Sequence, residues 1–579
     1  MTHARPILFA PSSRSFASAG PAFVREIAVV GPGTVGMTTA ALLANAELWA
    51  PNGAPTGVVV VQRASSASGW KVGAINAGRS PIGSLEPSLD ELVAQGAGSG
   101  RLRATTEFRD IRDADLVIVC VQSDHRGMGP DYAALAEALH GVAGAIQQRG
   151  VETLPLVVIE ATLAPSTMHT MVRDLFAEHG LVDGRDLLLA NSAGRAISGR
   201  SVEGLVSGDR VIGALSPHAA QRAAAVYGRI VRGALHCTNS MTAEVVKTLE
   251  NAVRDVRIAY AAEVARYCDA TDIDFFALRR RVNARLAQER AASAALDDGL
   301  LLPTVGVGGR GLPMAAVHLW WRAREAGVNP ADSLVLEARR INDESPAQVL
   351  ALAERCSGPV RGRSIALLGV AYRADSADAR RSPTLALARL LLERGAEVSL
   401  HDPHVNAADQ HLMRAGLTGR FHRDPADALA SAEVVIVCVA HREYQDGAER
   451  WLAHAQRLRI VVDACNAYRA SQIASPAVRY GGLGGGIRRP SGALVDAVVS
   501  GLDAVMHGVS NEAAALIGVL DARHAPDASS VVDYDQLRRL VAPGATGGEL
   551  PAPGPVPAVR PFEGFRSRLV ACAVAAPNR

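Results

Sequence analysis

The stretch Glu26-Ile-Ala-Val-Val30-Gly31-Pro-Gly33-Thr-Val-Gly36 decides the reading of this 579-residue chain. Its first five residues form a short apolar run, the pattern of a strand buried in a parallel sheet. Three glycines spaced Gly-x-Gly-x-x-Gly follow at once, and Met37 to Ala46 continues with a helical pattern. In this strand–loop–helix setting each glycine has a task. Gly31 permits the tight turn, Gly33 lets backbone approach a pyrophosphate, and Gly36 lets the helix pack on the strand. Thr34 and Val35 complete the loop, and the helix N-terminus faces the phosphates. The expected ligand is a dinucleotide, with NAD as the first choice. The carboxylate that usually ends the second strand is absent, because Val61 is followed by Gln62-Arg63. Arg63 is placed either to meet the 2′-phosphate of NADP or to lie solvated in a loop, so NADP stays open.

Further strand-like runs at Val58–Val61, Leu116–Val121 and Leu156–Ile159 alternate with helical segments. Thr242 to Asp269 has a long helical pattern without Pro or Gly, and Ala315 to Arg340 is again rich in helix formers. A second α/β block opens at Ser364-Ile-Ala-Leu-Leu-Gly369, with later strands at Glu397–Leu400, Val434–Val439 and Ile460–Asp463. Alternation of strands and helices predicts an α/β fold: two Rossmann-like, doubly wound parallel-sheet domains joined by a long central helix and its helical domain. The expected limits are an extension over 1–24, a dinucleotide domain over 25–235, a helical domain over 236–350, a second α/β domain over 351–510 and an extension over 511–579. Within the last, 542–561 is rich in Pro and Gly and reads as a flexible segment.

Composition narrows the function classes. Hydrophobic residues at 48% and charged residues at 20% describe a globular chain. A net charge of +2 gives no electrostatic footprint for nucleic acid. No uninterrupted apolar run of about 18 residues points to a membrane span, and Pro6, Pro11 and Arg14 break the leader, which does not read as a signal peptide. Seven cysteines form no C-x-x-C pair and no metal-ligand spacing, so no metal is expected and a cytoplasmic chain with reduced thiols is. Cys120 and Cys438 lie within apolar runs and read as core. Only two of the 60 basic residues are lysines, Lys71 and Lys247. A chain that writes Arg for nearly every cation draws attention to a retained Lys, because a guanidinium cannot give up a proton near neutrality. Chance survival is the alternative reading. Lys71, in Trp70-Lys-Val, is expected on an exposed helix face with no assigned role.

Several blocks, in order, resemble the nucleotide-sugar 6-dehydrogenases, the UDP-glucose, GDP-mannose and UDP-N-acetylmannosamine dehydrogenase family. They are Asn76-Ala-Gly-Arg-Ser-Pro-Ile82 with Glu86-Pro-Ser-Leu-Asp-Glu91, then Glu160-Ala-Thr-Leu-Ala-Pro-Ser-Thr167 and Glu244-Val-Val-Lys-Thr-Leu-Glu-Asn251. Gly306-Val-Gly-Gly309 and Gly369-Val-Ala-Tyr-Arg373 with Asp378-Ala-Arg-Arg-Ser-Pro383 complete the set. The resemblance implies a sugar nucleotide or related small molecule as substrate and a homodimer formed through the central helix. It assigns catalytic roles to Lys247, Asn251 and Thr162, and substrate contacts to Arg380, Arg373, Gly308 and Gly309. Arg310 is new relative to the family pattern, and it either binds a carboxylate or phosphate of the substrate or reflects drift in a loop no longer selected for catalysis. Arg373 stands where the family has Lys, a change that phosphate contact tolerates.

The family oxidises a sugar alcohol to an acid in two steps through a cysteine thioester. Here its loop Gly-Gly-x-Cys-x-x-x-Asp reads Gly308-Gly-Arg-Gly-Leu-Pro-Met-Ala315, so Gly311 and Ala315 fall on the Cys and Asp positions. Gly194 falls on the position of a family Glu. A residue without a side chain forms no covalent adduct, which closes the thioester route. Hydride removal needs only a nicotinamide and a base, and Lys247 is the candidate base. The first expectation is therefore an NAD(P)-dependent oxidoreductase acting on a CH–OH group without completing the acid. The alternative is an inactive homologue serving as a ligand-binding, structural or regulatory subunit. His441 with Glu443 can be an acid–base pair or a structural histidine at a strand end. Asp463 and Asn466 are expected to serve their own turn.

Overall fold

The computed structural model describes residues 24–575 except 67, 83–85, 122–123, 127–128, 195–198, 290–298, 329–332, 474–476, 525–530 and 542–548. The leader, and 542–548 of the segment expected to be flexible, lie outside the described residues. The chain divides into two compact units: residues 1–250 with 317–329 and 513–544, and residues 251–316 with 330–512 and 545–579.

The first unit is built on an eight-stranded sheet. Its strands are β1 (Glu26–Val30), β2 (Gly57–Val61), β3 (Leu102–Thr105), β4 (Leu116–Val119), β5 (Leu156–Ile159), β6 (Leu188–Asn191), β7 (Arg210–Ala214) and β8 (Leu235–Asn239), in the order β8-β7-β6-β5-β4-β1-β2-β3. All neighbours run parallel except β6 and β7. Apolar runs such as Gly57-Val-Val-Val-Val61 suit this position, because helices cover both faces and leave no wet side to demand alternation. Within the sheet Val30 stands opposite Val61 on one side and Val119 on the other. The chain thus turns in opposite directions after β1 and β4, which opens a crevice beyond their carboxyl ends.

The second unit holds a six-stranded, all-parallel sheet. Its strands are β9 (Ser364–Leu368), β10 (Glu397–His401), β11 (Phe421–His422), β12 (Val434–Val437), β13 (Ile460–Asp463) and β14 (Arg479–Gly482), in the order β11-β10-β9-β12-β13-β14. Here the corresponding switch lies between β9 and β12. The expected doubly wound sheets are both present.

The predicted central helix is Ser240–Thr271, 32 residues long or about 48 Å. Among its side chains only Arg254 and Ala270 are exposed. Asp255 is buried on it and accepts from Arg339 Nη1 at 2.7 Å and from Asn342 Nδ2 at 2.8 Å, an anchor that burial alone would penalise heavily. One helix among the described residues, within Gly492–His524, is long and apolar enough to cross a membrane, although it contains no uninterrupted apolar run of the length sought in the sequence. Small residues and a few polar ones interrupt it, and 61% of its most apolar window is buried within the protein.

Candidate functional site

The glycine loop is built as its spacing requires. Gly31 has φ +96°, a left-handed conformation that suits glycine, and it begins the turn out of β1. A Cβ on Gly36 would run into the Gly31 carbonyl oxygen and the side chain of Cys120, so only glycine lets the helix α1 (Thr34–Ala44) sit this close. At Gly33 a Cβ would meet nothing within 4 Å among the described residues. That open space lies at the N-cap of α1, where no side chain satisfies the first-turn N–H groups. Bare amides, a helix dipole and an absent side chain together fit a pyrophosphate.

A cavity of about 270 Å³ opens at this loop, at the predicted switch point, and Gly31, Gly33, Arg63, Lys71, Val121 and Glu137 are among its lining residues. Arg63 pairs with Glu137 at 2.9 Å, both largely exposed. Lys71 corrects the expectation set by sequence. It belongs to a seven-residue helix α2 (Trp70–Asn76) whose Trp70 is indeed exposed, but Lys71 itself is half-buried. Its Nζ turns back to donate to the Pro32 carbonyl at 3.2 Å, and burial lowers its pKa. The signal was present in the sequence, as one of the two retained lysines.

Beneath the loop, Glu160 follows β5 and is buried. It accepts from the Tyr227 hydroxyl at 2.7 Å, from Thr39 Oγ1 at 3.3 Å and from the Arg210 guanidinium, which lies 3.7 Å from the Tyr227 ring centroid. This brace fixes the start of the turn that carries Thr162, itself half-buried. Gly194 donates its N–H to the Glu160 carbonyl at 3.3 Å. A Cβ at Gly194 would approach Val35 Cγ1 to 2.6 Å, so Val35 has taken the space a larger residue would use.

Lys247 and Asn251 lie one turn apart on the central helix, which we denote α3 (Ser240–Thr271), and so share a face. The Lys247 amine is half-buried, with Glu250 Oε2 at 3.8 Å. Asn251 Nδ2 is buried and has no hydrogen-bond partner among the described residues. A buried donor left in this state is what a ligand oxygen would satisfy. Glu244, quoted in the signature but given no role, is buried three residues before Lys247. Desolvation pushes its carboxyl up to about 8, although its Oε1 accepts from the Met168 N–H at 2.8 Å.

In the second unit the structure brings together the two loops that resemblance linked to substrate. The Gly309 N–H donates to the Arg380 carbonyl at 2.8 Å, and a Cβ on Gly309, whose φ is +77°, would meet the Tyr372 ring at 2.9 Å. Gly308 is packed equally tightly, against Tyr372 and the Arg381 carbonyl. Arg310 is half-buried beside them, and Arg373 is exposed. Arg380 is folded back on Asp378, its Nε 2.8 and 2.9 Å from the two carboxylate oxygens. Gly311 opens the helix α4 (Gly311–Glu325), and among the described residues a Cβ there would meet nothing within 4 Å beyond its chain neighbours and its own helix, whereas Ala315 is fully buried.

The loop after β9 is pinned from below. Asp402 Oδ2 accepts from the N–H groups of Val370 and Ala371 at 2.6 and 2.8 Å, and Oδ1 from those of His404 and Val405 at 2.8 and 2.9 Å. His441 Nδ1 accepts from the Asp375 N–H at 3.0 Å, so Nε2 carries the proton and donates to Asp402 at 3.2 Å. Burial would raise the Asp402 carboxyl, but the hydrogen bond from His441 and these amides hold it down at about 2. His441 is therefore structural, its partner Asp402 and not Glu443. With both ring nitrogens committed, it cannot also serve as a metal ligand, although Asp375, His404 and Glu443 lie close by. Asp463 caps its own turn, as expected, by accepting from the N–H groups of Cys465, Ala467 and Tyr468 at 3.1, 3.1 and 2.9 Å.

Fold and loops together define a protein with a dinucleotide domain, a helical middle and a second nucleotide-type α/β domain. Comparison with known families agrees along the chain. Residues 25–231 match the NAD binding domain of the UDP-glucose/GDP-mannose dehydrogenase family, 241–344 its central domain and 366–470 its UDP binding domain. The chain belongs to this family, and its cofactor is NAD. It is 29% identical over 445 residues to the UDP-N-acetyl-D-mannosamine dehydrogenase of Pyrococcus horikoshii, covering 76% of this chain and 95% of that one. It is also 29% identical over 462 residues to the NDP-N-acetyl-D-galactosaminuronic acid dehydrogenase of Ralstonia solanacearum, covering 78% and 98%. Among solved structures, the NDP-N-acetyl-D-galactosaminuronic acid dehydrogenase of Methanosarcina mazei Go1 superposes with a TM-score of 0.65 at 28% identity, over 81% of this chain and 96% of that one.

Proposed function

We propose that this chain is an oxidoreductase that takes one hydride from a CH–OH group of a sugar nucleotide and stops at the carbonyl. The observation that carries the reading is the buried Asn251 Nδ2, without a hydrogen-bond partner among the described residues, one turn from the half-buried Lys247 amine. When bound at the glycine loop, NAD supplies the hydride acceptor. In its neutral amine form Lys247 Nζ takes the hydroxyl proton as the C–H bond breaks, and Asn251 Nδ2 donates to the oxygen that becomes the carbonyl. Thr162 lies on the turn braced by Glu160, and its supporting role in this step is the one the family resemblance gives it. Gly308, Gly309 and Arg310 with the loop of Arg373 and Arg380 hold the nucleotide.

A second oxidation needs a nucleophile at Gly311, and the thiols of Cys120, Cys237, Cys268, Cys438 and Cys465 are poor candidates for it. Burial pushes Cys237 to about 11, Cys268 and Cys438 to about 12, and Cys120 and Cys465 well above the ordinary thiol range. The second reading, an inactive ligand-binding or regulatory subunit, is favoured by one observation, the closure of Val35 over Gly194.

The test is incubation with NAD and a panel of UDP- and GDP-sugars, following absorbance at 340 nm and trapping carbonyl product with a hydrazide. The proposal expects one reduced cofactor per sugar and a trapped aldehyde or ketone. Two per sugar with an acid product would overturn the one-step reading, and no turnover with retained binding would establish the inactive one. A reducing, cytoplasmic setting belongs to the same proposal, and the cysteines form no disulfide among the described residues. The homodimer belongs to the same proposal and is tested by light scattering. Since α3 exposes only Arg254 and Ala270, its contact surface would draw on the elements wrapped around that helix.

A further inference from the structure

The cavity at the glycine loop differs from an ordinary NAD site at its adenosine end. An NAD-specific loop ends its second strand with a carboxylate that accepts from the ribose 2′-hydroxyl and repels a 2′-phosphate. From Gln62 to Trp70 this chain has no acidic residue and reads Gln-Arg-Ala-Ser-Ser-Ala-Ser-Gly-Trp. The Gln62 amide nitrogen is committed to the Arg63 carbonyl and to Ser68 Oγ, both at 2.9 Å, which fixes the turn and leaves Arg63 at the rim.

Three charged groups line the cavity: Arg63, Lys71 and Glu137. Lys71 Nζ rests on the carbonyl of Pro32, the residue between the first two glycines of the loop, and forms no ion pair among the described residues. It is a half-buried cation whose hydrogen-bond partner among the described residues is a neutral oxygen, and burial already disfavours its charge. An anion beside it would restore that charge at no cost in new burial. Arg63 is held by Glu137 alone, in a pair exposed on both sides and so worth only about 0–1 kcal/mol. A dianionic phosphate accepting a fork of two N–H bonds competes well against such a pair.

We propose that Arg63 and Lys71 form a subsite for the ribose 2′-phosphate, extending the cofactor range from NAD to NADP and holding the phosphorylated form more tightly. The inference rests on the cofactor part of the proposed function and not on the chemistry of substrate oxidation. Arg63 supplies the forked contact from the strand end, and Lys71 a point charge from α2 at the glycine loop. Glu137 is the group that opposes them, and Arg63 screens it.

The experiment is calorimetric titration of the full chain with four probes: NADP, NAD, 2′,5′-ADP and ADP. No turnover enters the readout. The expected result is a Kd for NADP at least about tenfold below that for NAD, with the same ratio between 2′,5′-ADP and ADP. Arg63→Ala and Lys71→Met should each pull both ratios toward one, a readout that cancels any loss the two members of a probe pair share. Equal or tighter binding of NAD, or ratios that survive both substitutions, would overturn the subsite and leave the NAD site standing. Failure of all four probes to bind would overturn the subsite and the cofactor reading together.

Discussion

A Cβ placed on Gly194 would stand 2.6 Å from Val35 Cγ1, so the position where the resemblance calls for a glutamate shares its packing with the cofactor loop. Restoring that acid is therefore not a local change. Gly194→Glu is expected to cost about 1–3 kcal/mol of stability, the usual range for overpacking a filled site. It should also weaken NAD binding, because Val35 belongs to the glycine loop. Val35→Ala in the same chain should recover part of both losses. Urea unfolding and NAD titration of the single and double variants check this, and a single variant as stable as the parent would contradict it.

Gly311 presents the opposite case, with open space around its Cα at the start of the 15-residue helix α4. Gly311→Cys should change stability by no more than about 0.5 kcal/mol. A thiol at a helix N-terminus ionises more readily than a free one. Iodoacetamide labelling near neutral pH, read by mass spectrometry, should mark the introduced thiol well before Cys120, Cys237, Cys268 and Cys438, whose ionisation burial suppresses. Equal labelling rates would show that the loop does not present this position to solvent.

Asp402 should make the second α/β domain sensitive to acid. Its carboxyl sits at about 2 in the folded chain against an ordinary 3.8, so the stabilisation is complete above pH 3.8 and lost as pH falls through about 2. That difference corresponds to about 2 kcal/mol. Asp402→Asn keeps the shape but leaves amides of the 370–371 loop facing an N–H₂ group, at an expected cost of about 2–4 kcal/mol. Acid-induced unfolding followed by circular dichroism should show a midpoint shifted upward in pH for this variant.

The fold was legible because its signals are local. Valine runs such as Val58–Val61 specify strands buried on both faces, and Gly31, Gly33 and Gly36 specify one turn with one helix behind it. The family blocks were legible for the same reason, as short ordered strings. What was not legible depends on where a side chain turns after the backbone is placed. Lys71 reads as an exposed helix residue until its Nζ is seen to reach back over 39 positions to Pro32. Arg380 reads as an arginine extended toward a ligand, but Asp378, two residues earlier, folds it back. His441 beside Glu443 suggests a pair in sequence, while the fold supplies Asp402 instead. None of these choices follows from spacing alone, since each is set by a partner from another element or by a turn that sequence does not fix.

Glu244 gives the sharpest pH signature of the first unit. The folded chain holds its proton up to about pH 8, whereas the unfolded chain releases it near the ordinary 4.5. Between those values the unfolded state binds fewer protons, so stability falls as pH rises, by up to about 1.4 kcal/mol per pH unit, and levels off above pH 8. Glutamine has the shape of the neutral acid and keeps an oxygen for the Met168 N–H, which lies 2.8 Å from the carboxyl. Glu244→Gln should therefore leave stability near pH 5 almost unchanged and raise it at pH 8, flattening the profile across the window. Thermal melts of both proteins at half-unit pH steps provide the measurement. A variant that loses stability equally at every pH would mean that Glu244 acts through its charge, and that the folded chain carries it ionised.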